Sequence, residues 1–136
     1  MKPTLNIMYN KLEKKEDEGR QNMPFINSKI SITISKEQET KLKTELGKAI
    51  ELIPGKSENW LMTGFEDGYH LYFRGDNSLP TAFVEVMIFG KANPDAFEKL
   101  TEKITEIFGD VLDIKPDHIY IKYTPADQWG WNGSNF

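Results

Sequence analysis

The chain has no cysteine. Disulfides, cysteine-ligated zinc and thiol catalysis are therefore excluded, although the compartment is not fixed by that absence. Its 2 histidines, His70 and His118, lack metal-ligand spacing, so no metal site is expected, and both are expected to be exposed. No apolar run approaches the ~20 residues of a membrane span, so no membrane partner is expected. Positive charge is not in excess: 17 Lys and Arg stand against 21 Asp and Glu, for a net charge of -4. That balance argues against nucleic acid as a partner. Residues 1–22 carry no apolar stretch of the kind that marks a secretory signal. A cytoplasmic location is expected, with non-classical export left open. Gly64-Phe65-Glu66-Asp67-Gly68 lacks the strand–loop–helix context of a phosphate loop and reads as a turn.

What is present suits one small domain. A chain of 136 residues that is 38% hydrophobic and 12% aromatic has enough apolar surface for a core without staples. Residues 1–22 differ from the rest. Lys11 to Arg20 is a mixed-charge run with a single apolar residue. It reads as a short solvated helix or a disordered tail, or as a segment outside the natural protein. In the last case translation starts at Met23, and a purine-rich stretch encoding Gly19-Arg20 serves as the ribosome-binding site.

From Phe25 the pattern is regular. Ile26, Ser28, Ile30 and Ile32 share one face of a period-2 strand. Ser35 with Gln38 forms a capping box, and Leu42, Leu46, Ala49, Ile50 and Ile53 follow at helical spacing. Pro54-Gly55 ends that helix. Trp60 to Phe65 reads as a strand, and His70 to Phe73 as a short returning one. The order then repeats. Thr81 to Phe89 is a strongly apolar strand. Asn93 caps a helix with Pro94 in its first position and Gly109 at its C-terminal cap. Its apolar stripe is Phe97, Leu100, Ile104, Ile107 and Phe108. His118 to Tyr123 is the last strand.

The expected fold is α+β: a tandem β-α-β repeat giving a four-stranded mixed sheet with both helices on one face. The second face is then uncovered, although Thr81 to Phe89 is apolar almost throughout. Strands apolar on both sides are usually covered on both sides. Other subunits are the simplest cover, so an oligomer is expected.

Several segments carry a resemblance. Pro24 follows a candidate initiator, Met23. Gly55-Lys56 follows the first helix, and Phe89-Gly90-Lys91 ends the third strand. Ile119-Tyr120-Ile121-Lys122-Tyr123 is the fourth strand, and Gly130-Trp131-Asn132-Gly133-Ser134-Asn135-Phe136 closes the chain. In this order and spacing, residues 24–136 resemble the tautomerase superfamily, in particular the macrophage migration inhibitory factor and phenylpyruvate tautomerase family. The resemblance implies a homotrimer with a pocket at each subunit interface. It implies Pro24 as the catalytic base, provided that its nitrogen is free. Lys56 and the backbone amide of Phe89 would hold substrate oxygens. Tyr120 would reach in from the neighbouring subunit, and Trp60, Trp131 and Phe136 would form aromatic walls. Lys122 stands where the family usually has asparagine, and Thr81-Ala82-Phe83-Val84 stands where the mammalian protein has a Cys-x-x-Cys.

The chemistry agrees with these residue types. A keto–enol shift needs a base whose pKa lies near working pH. An α-amino group starts near ~7.7 and is lowered by burial. A lysine can stabilise an enolate or bind a carboxylate. Pro24 qualifies only as a secondary amine, because an internal proline nitrogen is an amide. Two functions follow. The first is a cofactor-independent keto–enol tautomerase of phenylpyruvate-like aryl 2-keto acids. The second is a non-catalytic, cytokine-like binding protein acting through its surface, favoured where the extension is retained.

Overall fold

The computed structural model describes residues 23–136; the charged segment 1–22 lies outside the described residues. Strand β1 is Pro24–Ile30, and its Ile26, Ser28 and Ile30 all point into the core. Helix α1, Lys36–Ala49, opens on the expected capping box. There the Gln38 N–H donates to Ser35 Oγ at 3.1 Å and the Ser35 N–H to Gln38 Oε1 at 2.9 Å. Two donors that the first helical turn leaves without partners are thereby satisfied.

Strand β2 is Met62–Glu66. It starts later than the aromatic pattern suggests, because Glu58–Trp60 forms a turn of 3-10 helix. Gly47 on α1 makes room for that turn, since a β-carbon there would collide with the Glu58 carboxylate. No strand forms over His70 to Phe73; Phe73 makes only an isolated bridge with Asp76.

Strand β3 is Ala82–Phe89 and helix α2 is Pro94–Leu112. Asn93 caps α2 by accepting from the Ala96 N–H at 2.7 Å. The helix does not stop at Gly109, where a cap was expected. It runs to Leu112 and ends on Asp113, whose φ of 55° is left-handed. Gly109 in the interior costs about 1 kcal/mol against alanine. Burying Leu112 and, just past the cap, Ile114 returns more than that. Strand β4, Ile119–Ala126, follows. Strands β5, Gly130–Trp131, and β6, Ser134–Asn135, form a terminal hairpin.

The main sheet has the order β2-β1-β3-β4. β1 and β2 are parallel, as are β3 and β4, and the two β-α-β units join through the antiparallel pair β1/β3. Both helices lie on one face. Leu42, Leu46, Leu100, Ile104 and Phe108 pack there with Ile26, Val84, Val86 and Ile88. The expected tandem architecture is therefore the observed one.

The face without helices is more polar than the Thr81 to Phe89 run suggested. In register, Asn27, Glu85 and Lys122 form one row across it. Its groups are paired: Asn27 Nδ2 donates to Glu66 Oε2 at 2.8 Å and Thr124 Oγ1 to Glu85 Oε2 at 3.1 Å. Apolar side chains, among them Phe25 and Met87, share this face toward the Pro24 end of the sheet. A uniform apolar surface is absent; the face is a charged stripe flanked by apolar ends.

One core group stands out. Ser28 is fully buried on the helix-covered face, and its Oγ has no hydrogen-bond partner among the described residues. A stranded buried hydroxyl costs about 1–3 kcal/mol. Ser28→Ala is therefore expected to stabilise the domain by about 1 kcal/mol, read as a higher midpoint in urea unfolding at unchanged slope. A loss of stability would mean that the hydroxyl has a partner.

Candidate active site

Three local devices bring the site residues to one end of the sheet. The first is the turn after α1. The Lys56 N–H donates to the Ile53 carbonyl at 3.0 Å, and Gly55 has a φ of 82°. Pro54 before that glycine fits the type II turn, which needs a positive φ at its third residue. The turn delivers Lys56 against the end of β3. Its Nζ donates to the Phe89 carbonyl at 3.2 Å. Lys56 is only 7% exposed, and this burial lowers its pKa from the ordinary lysine value. A carboxylate arriving here would meet a cation that water solvates poorly, which strengthens their attraction.

The second device is the start of β1. Pro24 pairs in register with Ile88 and is buried. The Phe89 N–H donates to the Met23 carbonyl at 3.1 Å, one rung beyond the strand. The third is the terminal hairpin, turned by Asn132 and Gly133, both at positive φ. It sets Trp131 edge-on to Trp60, with ring centroids 5.3 Å apart. The Phe136 N–H donates to the Trp129 carbonyl at 3.0 Å, and the Phe136 ring meets Phe89 edge-on at 5.3 Å.

Between the start of β1 and the terminal hairpin lies an open cleft of about 470 Å³, lined by Met23, Pro24, Trp60, Met62 and Trp131 among others; Lys56, Phe89 and Phe136 lie outside its lining. Pro24, Lys56, Phe89, Trp60, Trp131 and Phe136 thus cluster at one end of a single chain. Tyr120 and Lys122 do not join them. Tyr120 pairs with Phe83, five positions along β3 from the Ile88 that faces Pro24, or about 17 Å at strand spacing. Its side chain is 59% exposed. Lys122 lies across from Glu85 on the open face, with Nζ 3.7 Å from Glu85 Oε2. His118 is not exposed as expected: its side chain is 14% accessible, and Nδ1 lies 2.8 Å from Asp117 Oδ1.

Sequence reasoning missed two features of the cleft. Met62 lines its mouth with 73% of its surface exposed, and nothing in its strand pattern marks it. The terminal hairpin was readable, since Asn-Gly is the strongest two-residue turn signal. Among the described residues no helix is long and apolar enough to cross a membrane, and no cluster of three or more His, Asp or Glu could hold a metal ion.

Comparison with known proteins gives the relationship. Comparison with curated protein sequences found no match. Among solved structures, the fold matches MIF2 of Leishmania major with a TM-score of 0.78 at 29% identity, covering 85% of this chain and 98% of that one. It matches the macrophage migration inhibitory factor homologue of Prochlorococcus marinus with a TM-score of 0.73 at 32% identity, covering 82% and 98%. The macrophage migration inhibitory factor-like protein of Entamoeba histolytica, at 20% identity and a TM-score of 0.73 over 84% and 99%, shares the fold. The model of the macrophage migration inhibitory factor family matches residues 23–136. With the tandem β-α-β sheet and the proline-ended cleft in place, the chain belongs to the macrophage migration inhibitory factor family.

Proposed function

We propose that residues 24–136 form a keto–enol tautomerase for phenylpyruvate-like aryl 2-keto acids, with Pro24 as its general base when that residue is the N-terminus. The observation that carries this reading is a cleft lined by Pro24 and the edge-on rings of Trp60 and Trp131, with buried Lys56 held at the same end of the sheet through its bond to the Phe89 carbonyl. A secondary amine in a partly apolar site has its pKa lowered by burial, which suits a base at neutral pH. The base removes a proton from the carbon beside the keto group, and electrons move onto the keto oxygen. The same proton returns to that oxygen to complete the enol. In this reading Lys56 and the Phe89 N–H, released once Met23 is removed, hold substrate oxygens, and Trp60 and Trp131 receive the aryl ring.

The same reading includes a homotrimer. Within one chain, Tyr120 is too far from Pro24 to act at its own cleft, so a role at the site requires a neighbouring copy. Lys122 is tied to Glu85 in the single chain; its part at the site likewise depends on that assembly.

The test uses a chain begun at Met23, with the methionine removed. Light scattering should give three times the chain mass. NMR should show deuterium entering the benzylic carbon of phenylpyruvate faster than in buffer, with kcat/KM falling as acid protonates a group of pKa below the ordinary α-amino value of about 7.7. A stable monomer without exchange would overturn both parts.

A second reading has its own observation. While Met23 precedes Pro24, the Met23 carbonyl occupies the Phe89 N–H. A chain that keeps this arrangement suits a binding protein acting through its surface. Such a protein would show no exchange.

A further inference from the structure

We propose that Phe73 is the positioning residue for Tyr120, holding its ring in the orientation in which it serves a neighbouring subunit's cleft. The proposal rests on the reading of Tyr120 given above. Tyr120 sits on the edge strand β4 with its side chain largely in solvent. Such a side chain samples several rotamers unless a neighbour selects one. The Phe73 ring provides that neighbour, meeting Tyr120 edge to face with centroids 5.5 Å apart and planes at 89°. A contact of this geometry biases a rotamer population by roughly two- to tenfold.

Phe73 is itself fixed from several sides. It exchanges both backbone hydrogen bonds with Asp76, at 2.9 and 3.0 Å. They close a two-residue turn in which Arg74 has a φ of 56° and Gly75 a φ of 74°. The left-handed region disfavours a side chain such as arginine's, so the turn holds strain at Arg74. The Arg74 guanidinium lies over the Phe73 ring, 4.8 Å from its centroid, a favourable cation–π arrangement. His118 meets the same ring edge-on at 5.1 Å and is held by Asp117. Asp76 is anchored in turn: its carboxylate accepts from the Ser78 N–H at 2.9 Å and from Ser78 Oγ at 2.8 Å. A loop that forms no strand thus carries a ring clamped on two sides, with Tyr120 on a third. None of Phe73, Arg74 and His118 lines the cleft at Pro24.

A double-mutant cycle tests this on the chain begun at Met23, with phenylpyruvate as substrate. Tyr120→Phe keeps the ring and removes the hydroxyl; it should lower kcat/KM. Phe73→Leu should lower kcat/KM about three- to tenfold, and Phe73→Tyr, which keeps a ring, should restore it. In the Tyr120→Phe background, Phe73→Leu should have no further effect. A Phe73→Leu loss that adds in full to that of Tyr120→Phe overturns the proposal, because Phe73 then acts elsewhere. An unimpaired Phe73→Leu beside an impaired Tyr120→Phe overturns positioning alone. An unimpaired Tyr120→Phe removes Tyr120 from the reaction, and the proposal with it. Should Phe73→Leu fail to assemble, Arg74→Gly decides. Glycine suits the turn's left-handed backbone and removes the guanidinium that lies over the Phe73 ring. It should reduce kcat/KM about twofold, and again not at all beside Tyr120→Phe; a full effect there, or none in the parent, overturns the proposal.

Discussion

Lys56→Ala is expected to weaken phenylpyruvate turnover by roughly ten- to a hundredfold, chiefly through KM, and to leave the fold intact. The size follows from one charge-assisted contact, worth about 1.5–3 kcal/mol. KM takes the loss because a carboxylate is present both in the bound substrate and in the transition state, so its partner contributes equally to each. The fold should survive for a separate reason. The Lys56 side chain donates to the Phe89 carbonyl at 3.2 Å, but β3 is held independently by the ladders to β1 and β4. Burial lowers the Lys56 pKa, so its proton is held less firmly in the protein than in solution. A bound carboxylate reverses that by favouring the charged form. Steady-state kinetics with circular dichroism as a folding control checks the expectation. Unaltered KM in a folded variant would place Lys56 outside substrate binding.

Much of this architecture was legible because local signals agreed with one another. Ser35 with Gln38, and Asn93 with Pro94, mark helix starts by side-chain chemistry that acts within a few residues, and both helices begin there. The alternation Ile26, Ser28, Ile30 gave the buried face of β1. The failures occurred where tertiary packing overrode local preference. Gly109 resembles a helix end, but Leu112 and Ile114 have a core to enter, so α2 continues. Trp60 resembles a strand residue, but Glu58 docks against Gly47 and bends the chain first. Glu85 was overlooked within an apolar run, although alternation puts it on the open face beside Lys122. At the site, six residues from four separate segments converge because strand order β2-β1-β3 brings the end of β3 beside the start of β1. Periodicity carries no information on that convergence; only the family resemblance did. Tyr120 and Lys122 remain apart from it in the single chain, and their part is a question of assembly.

The largest effect is expected from the residue before Pro24. Two versions of the protein, one starting at Met1 and one at Met23, should differ in phenylpyruvate exchange by at least the ~10²–10⁴-fold that a positioned general base contributes. The shorter version should lose its methionine, since proline is small enough for the aminopeptidase, leaving a secondary amine. In the longer version the Pro24 nitrogen is a tertiary amide without a basic lone pair. The structure adds a second obstacle. Met23 is 4% exposed and lines the cleft, and its carbonyl accepts the Phe89 N–H at 3.1 Å. A substrate oxygen that needs that donor would have to displace it. The two obstacles separate by experiment: amide formation removes chemistry, whereas the occupied donor weakens binding. Quenching of Trp60 and Trp131 fluorescence by an unreactive aryl carboxylate reports binding alone, and the longer version should bind it more weakly. Intact mass must confirm each N-terminus before the comparison counts. Equal turnover by both versions would sink the N-terminal base. If neither version turns over substrate, the surface-binding role becomes the better account of this fold.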